Sequence, residues 1–184
     1  MYTLYIDTHY SELVLALFLD GKLIDTKVLD SNLHSKNTVP LLKELLDHHS
    51  LSIDNLGEVL VINGPGSFTG VRIGIVVAKM IGYTKNIPIK AISYLQAMSL
   101  SYHQDVVLGI RDRNGIFVGE FNANHELIND YFYLSNEEVK NFEKDIKLDT
   151  SVDYQKVYDF MKEMNSVSPH LLKPLYVKKL EVGK

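Results

Sequence analysis

Gly64-Pro65-Gly66-Ser67-Phe68-Thr69-Gly70 is the stretch whose residue types and spacing come nearest to chemistry. It follows a short apolar run, Val59 to Ile62, and precedes a long apolar segment. Strand, glycine turn and helix in that order aim backbone N–H groups and a helix dipole at one point, which suits an anion. Two phosphate-binding patterns fail against it. A P-loop needs a lysine directly after its last glycine, and none stands here. A dinucleotide fingerprint needs Gly-x-Gly-x-x-Gly, and Gly64, Gly66 and Gly70 carry one residue too many. A tight strand-to-helix turn is therefore the stronger reading. Proline presets φ at the second position of a type II turn and glycine supplies positive φ at the third, so Gly64–Ser67 is expected to be that turn. Nor is Ser67 a nucleophile: it stands second, not central, between Gly66 and Gly70.

Histidine offers less. There are seven, and His34 has no second histidine one helical turn away. A mononuclear metal site needs three or so converging ligands, so no metal site is expected. His48 and His49 end a helix, where an imidazole interacts favourably with the macrodipole. Arg72 sits in the first turn of its helix, against the macrodipole at a cost of ~0.3–1 kcal/mol, so an anionic neighbour is expected, a carboxylate within a complex sooner than a ligand. Arg111-Asp112-Arg113 precedes Asn114-Gly115, where a hairpin salt bridge is the simplest account.

The elements that hold these residues can be read in order. Tyr2–Asp7, Glu12–Leu19 and 22–29 read as strands, with Asp20-Gly21 a two-residue hairpin turn. A helix covers about 35–49, with Val39, Leu42, Leu45 and Leu46 along one side. Pro40 implies either a start near it or a kink. After the strand at 59–62, Ser67 or Thr69 caps a helix from about 70 to 83. A strand at 89–92 and a helix at 94–102 follow. Beyond 105 the pattern suggests a meander of strands at 106–110, 116–121 and 126–134, turning at Asn124-His125. Ser135 and Glu138 then make a capping box, 141–153 a charged surface loop, and 155–164 a helix.

The helix after the glycine turn is apolar nearly all round, since between Val71 and Tyr83 only Arg72 and Lys79 are charged. A surface helix needs one apolar stripe. Gly74, Ala78 and Gly82 add a small-residue ridge at four-residue spacing. Such a helix is either sandwiched in its own domain or shared with a partner.

Composition bounds the rest. The chain has 184 residues, 46% of them hydrophobic, a net charge of −4 and no cysteine. Its pI is near 6.0 and its mean hydropathy −0.03. It can bury a core, as one domain or two compact halves. The charge argues against autonomous nucleic-acid binding, although Lys173, Lys178, Lys179 and Lys184 form a basic end. Disulfides and thiolate chemistry are excluded. No signal peptide or membrane span is read, and a cytoplasmic protein is expected.

Asn63-Gly-Pro-Gly-Ser-Phe-Thr-Gly-Val-Arg-Ile-Gly74 closely resembles the signature of the TsaB (YeaZ) family, subunits of the bacterial machinery that makes threonylcarbamoyladenosine in tRNA. Leu4-Tyr5-Ile6-Asp7-Thr8, His34-Ser35 with Pro40-Leu41-Leu42, Asn86-Ile87-Pro88 through Leu95, and Pro174 to Lys178 resemble further family segments. The resemblance is weak from about 102 to 169. It implies an α/β, actin-like or ribonuclease-H-like (ASKHA) fold of two related units, 1–101 and a reduced 102–184. The implied role is a non-catalytic scaffold, with no catalytic, cofactor-binding or metal residues. It would pair with a TsaD-type catalytic subunit, be joined by a TsaE-type ATPase, form homodimers alone and meet tRNA only through the complex. Asp7-Thr8 resembles the phosphate turn of ATP-using relatives, but His9 and Tyr10 stand where glycine is needed, so Asp7 is read as a turn cap. The metal-binding His-x-x-x-His of TsaD is missing around His34. The family's pairing runs through the two helices, which places the interface on Leu42, Leu45, Leu46, Val71, Gly74, Ile75, Ala78, Lys79 and Gly82. Gly64, Pro65, Gly66, Ser67, Gly70 and Arg72 are then a structural loop. The rival readings are a small actin-superfamily kinase or phosphotransferase and, more weakly, a peptidase.

Overall fold

The computed structural model describes residues 1–30, 33–148 and 150–177. The chain opens with β1 (Tyr2–Asp7), β2 (Glu12–Leu19) and β3 (Lys22–Asp30), an antiparallel meander. Its Asp20-Gly21 turn takes positive φ at both residues, 48° and 83°, as two-residue hairpins require. In β2 both sides are buried: Leu13, Leu15 and Leu17 enter one core, Val14, Ala16 and Phe18 another. This strand must therefore have a layer on each face.

α1 (His34–His48) runs through Pro40, whose exposed ring lies away from the core. Then come β4 (Leu56–Ile62), α2 (Phe68–Lys85), β5 (Ile89–Ile92) and the short α3 (Tyr94–Ser99). Ser67 caps α2 by accepting the Gly70 N–H at 3.3 Å, and Asn86 closes it in the left-handed region at φ 52°. The five strands form one sheet in the order β3-β2-β1-β4-β5, with β4 parallel to β1 and β5 parallel to β4. Three antiparallel strands extended by two parallel ones, with crossover helices, is the expected ribonuclease-H-like unit.

The second half adds β6 (Val106–Asp112), β7 (Gly115–Phe121), β8 (Phe132–Ser135), α4 (Asn136–Lys140), β9 (Ile146–Leu148) and α5 (Tyr154–Met161). Its sheet runs β8-β7-β6-β9. The expected strand at 126–134 is shorter, reduced to β8 and a single bridge between Phe121 and Leu127. The expected loop at 141–153 contains β9, parallel to β6; three residues among charges carry too little alternation to be read as a strand. The capping box at Ser135 and Glu138 is present.

Two layers cover the first sheet. Leu42, Leu45 and Leu46 of α1 and Val71, Ile75 and Ala78 of α2 join Leu4, Ile6, Val59 and Val61 on one face. The other face receives α5, whose Val157, Tyr158 and Met161 meet Tyr5, Phe18 and Leu60. Phe18 and Tyr158 stack at 4.8 Å between ring centroids. The tail returns as well, with Val167 bridging to Ile89 and Leu172 entering the first core. So the second half of the chain supplies a layer of the first unit. Lys178, Lys179 and Lys184 of the basic end, the Lys178 end of the closing motif, and Asp149 lie outside the described residues.

Candidate functional site

The glycine loop is a junction of backbones. The Ser67 N–H donates to the His9 carbonyl at 2.7 Å, and a Cβ on Gly66 would collide with that same carbonyl. Tyr94 N–H donates to Gly64 O at 2.8 Å, and Leu175 N–H to Asn63 O at 2.7 Å. The end of β1, the start of α3 and the C-terminal tail are all tied here. The turn is not type II: positive φ falls on Gly64, at 113°, not on Gly66, and the Gly64–Pro65 bond is cis. The glycines admit close neighbours, and the N–H groups of Ser67 and Gly70 that a phosphate would need already have partners within the chain.

Within the chain Arg72 meets two aromatic groups. Its guanidinium lies 3.6 Å from the centre of the Phe68 ring, and its Nε donates to the Tyr176 hydroxyl at 2.7 Å. A ring face attracts a cation, so both hold the guanidinium in place.

Between the two sheets lies a cleft of about 430 Å³, lined by Asp7, His9, Tyr94, Arg111 and Tyr154 among others. Asp7 caps its turn, with Oδ1 accepting from the His9 N–H at 3.0 Å and lying 2.7 Å from His9 Nδ1. Its other oxygen accepts from the Tyr5 hydroxyl at 3.4 Å. The His9 ring stacks on Tyr94 at 3.8 Å. Both carboxylate oxygens are thus committed inside the chain, and an imidazole occupies the turn where phosphate would need bare backbone.

The interface residues read from the sequence fall mostly in the chain's own core. Leu42, Leu45, Leu46, Val71, Gly74, Ile75, Ala78 and Gly82 are buried, and Lys79 is half-buried. A Cβ on Gly74 would stand 2.5 Å from Thr8 Oγ1, and one on Gly82 would collide with Ile89. The small-residue ridge lets α2 approach its own sheet, not a partner. The reason is geometric: a helix seated on a parallel sheet needs small residues where it crosses the strands.

What α2 shows to solvent is different and also apolar. Phe68, Val76, Met80 and Tyr83 are 46%, 51%, 62% and 66% exposed, and Val39 of α1 is 61% exposed. Val39, Phe68, Ile73, Val76, Val77 and Met80 line one groove between α1 and α2, with Ser35, Thr38 and Arg72 at its margin.

His34 serves structure. Its Nε2 lies 2.6 Å from the Tyr10 carbonyl oxygen, pinning the β1–β2 turn to α1. A different histidine cluster forms at the far end of α1. His48 Nδ1 and His49 Nε2 lie 3.0 and 2.9 Å from the same oxygen, Oδ2 of Asp25. Partial desolvation raises the Asp25 pKa, but the hydrogen bonds from His48, His49 and the Thr26 N–H outweigh it and hold the carboxyl below its usual range. Sequence reading placed both histidines at a helix end and missed Asp25, because β3 brings that carboxylate from across the hairpin.

The model of the family described as TsaD, tRNA N6-adenosine threonylcarbamoyltransferase, matches residues 29–159. The tRNA threonylcarbamoyladenosine biosynthesis protein TsaB of Bacillus subtilis (strain 168) is 36% identical over 101 residues, 54% of this chain and 44% of that protein. TsaB of Haemophilus influenzae (strain ATCC 51907 / DSM 11121 / KW20 / Rd) is 31% identical over 94 residues, 51% of this chain and 40% of that protein. The matched segment thus spans about half the length of these curated relatives. In fold, the chain is similar to YeaZ from Pseudomonas aeruginosa, with a TM-score of 0.79 and 19% identity over 95% of this chain and 99% of that one. A second Pseudomonas aeruginosa structure, described by its similarity to peptidase YEAZ, superposes with the same TM-score of 0.79 over 96% of this chain. The chain belongs to the TsaD family, and the curated relatives it matches there are TsaB proteins.

Proposed function

We propose that this chain is a non-catalytic subunit of the assembly that transfers threonylcarbamoyl to tRNA adenosine next to the anticodon, and that it supports a TsaD-type catalytic subunit. The relatives' name, tRNA threonylcarbamoyladenosine biosynthesis protein, supports the pathway. The observation that carries the scaffold role is the groove between α1 and α2. Phe68, Val76 and Met80 of α2 stand exposed beside Val39 of α1. An interface typically buries roughly 800 Å² per partner, which two helices of this length can supply. The docking surface is therefore Val39, Phe68, Ile73, Val76, Val77 and Met80, on the two helices expected from the sequence but on their other face. The same face would join two copies when the partner is absent. A TsaE-type ATPase would join the pair, and tRNA would be met through the complex, in the cytoplasm.

The committed oxygens of Asp7 and the self-satisfied glycine loop favour this reading over a kinase. Among the described residues no helix is long and apolar enough to cross a membrane.

Size-exclusion chromatography of the chain with the TsaD-type protein of the same cell tests the proposal. A joint peak that Met80→Asp abolishes, while circular dichroism stays unchanged, is the expected result. Separate elution of the two wild-type proteins at micromolar concentration would contradict it.

A further inference from the structure

We propose that Asp25, His48 and His49 form a surface site for a divalent transition-metal ion of the zinc class. The three come from two elements, β3 and the C-terminal end of α1, and their donor atoms all lie within 4.8 Å of one another. His48 Nδ1 and His49 Nε2 both meet Asp25 Oδ2, at 3.0 and 2.9 Å. Tetrahedral zinc with bonds of about 2.0–2.2 Å to nitrogen and oxygen holds its ligand atoms roughly 3.3 Å apart. Each imidazole–carboxylate gap therefore needs to open by only a few tenths of an ångström.

The carboxylate is already aimed. Its other oxygen, Oδ1, accepts from the Thr26 backbone N–H at 2.7 Å, which leaves Oδ2 facing the two rings. Such an outer hydrogen bond orients a ligand before the ion arrives. The donor set, two imidazoles and one carboxylate, suits zinc, nickel and copper, and not the all-oxygen preference of magnesium or calcium. The negative end of the α1 dipole also favours a cation there. The His48 side chain is 66% exposed, so the fourth position opens to water.

Without metal, His48 Nδ1 and His49 Nε2 each donate an N–H to Asp25 Oδ2. On binding, each of these nitrogens offers its lone pair to the ion and the proton moves to the ring's other nitrogen. No redox step is involved. The ion then links the β2–β3 hairpin to α1, beside the Lys27–Glu44 ion pair that already joins them.

The test uses the full chain freed of any histidine tag and treated with chelator, titrated with zinc chloride by calorimetry. One equivalent with a dissociation constant in the micromolar range or below is expected. Asp25→Asn and His49→Ala should each weaken it by tenfold or more. His48→Ala, at an exposed position that leaves the fold intact, should do the same. The melting temperature should rise by roughly 5 °C or more at a hundredfold excess over the dissociation constant. Absence of a stoichiometric site in the wild type, or zinc binding unchanged in His48→Ala and Asp25→Asn, would overturn the proposal. Neither outcome depends on the partner-binding groove.

Discussion

The hydroxyl of Thr8 donates to the carbonyl of Gly70 at 2.7 Å, across 62 residues of sequence. The same oxygen accepts from the Gly74 N–H at 3.1 Å. In a regular helix those two backbone groups pair with each other. Here a side chain from the end of β1 bonds to both, tying α2 to the sheet. Thr8→Val keeps the shape and removes both of these buried hydrogen bonds. A loss of ~1–3 kcal/mol is expected, read as a lower urea midpoint with unchanged slope.

Gly82→Leu and Ala78→Leu should unfold the chain before they touch any partner. Both positions face the chain's own sheet, and Gly82 lies directly on Ile89. Overpacking of this kind costs ~1–3 kcal/mol or more. Val76→Asp and Met80→Asp, on the exposed side of the same helix, should melt within a few degrees of wild type. Thermal denaturation of the four variants separates the two faces; equal melting temperatures would refute the assignment.

Lys90 and Glu58 form an ion pair at 2.9 Å between β5 and β4, with side chains 11% and 6% exposed. Lys90 Nζ also donates to the Lys162 carbonyl at 2.8 Å. Lys90→Met strands a buried carboxylate, and a cost of ~3–5 kcal/mol is expected. Adding Glu58→Gln should return most of it. Urea denaturation of the single and double variants measures the coupling.

Burial raises the phenol pKa of Tyr5, Tyr131 and Tyr154, and the Asp7 charge adds to it for Tyr5 and Tyr154. The folded chain therefore keeps protons that the unfolded chain releases from about pH 10. Their contribution to stability is fully present below pH 10 and is lost as pH rises from there through the folded values. Denaturation midpoints should be flat from pH 8 to 9.5 as far as tyrosine is concerned and fall above 10. Tyr5→Phe should blunt that fall.

Much of this architecture was legible because alternation and β-branched runs mark strands. The bounds of β1, β2 and β5 fall where the pattern ends, and Asp20-Gly21 turns where hairpin chemistry demands. The apolar excess of α2 was legible too, but not its allocation. One residue list contained both a ridge for its own sheet and a second apolar face, and periodicity alone cannot say which side the sheet takes. The cis bond and positive φ at Gly64 were hidden because Pro and Gly suit several turns. The Tyr176 partner of Arg72 was hidden because it stands 104 residues away and meets the guanidinium only in the fold. Asp25 was missed for the same reason.

The most direct measurement is in vitro synthesis of threonylcarbamoyladenosine on tRNA with the TsaD-type and TsaE-type proteins of the same cell and preformed threonylcarbamoyl donor, quantified by nucleoside mass spectrometry. The modified nucleoside should accumulate with this chain, and fall at least tenfold when it is omitted or replaced by folded Met80→Asp. Equal accumulation with and without the chain would contradict its role as a required subunit.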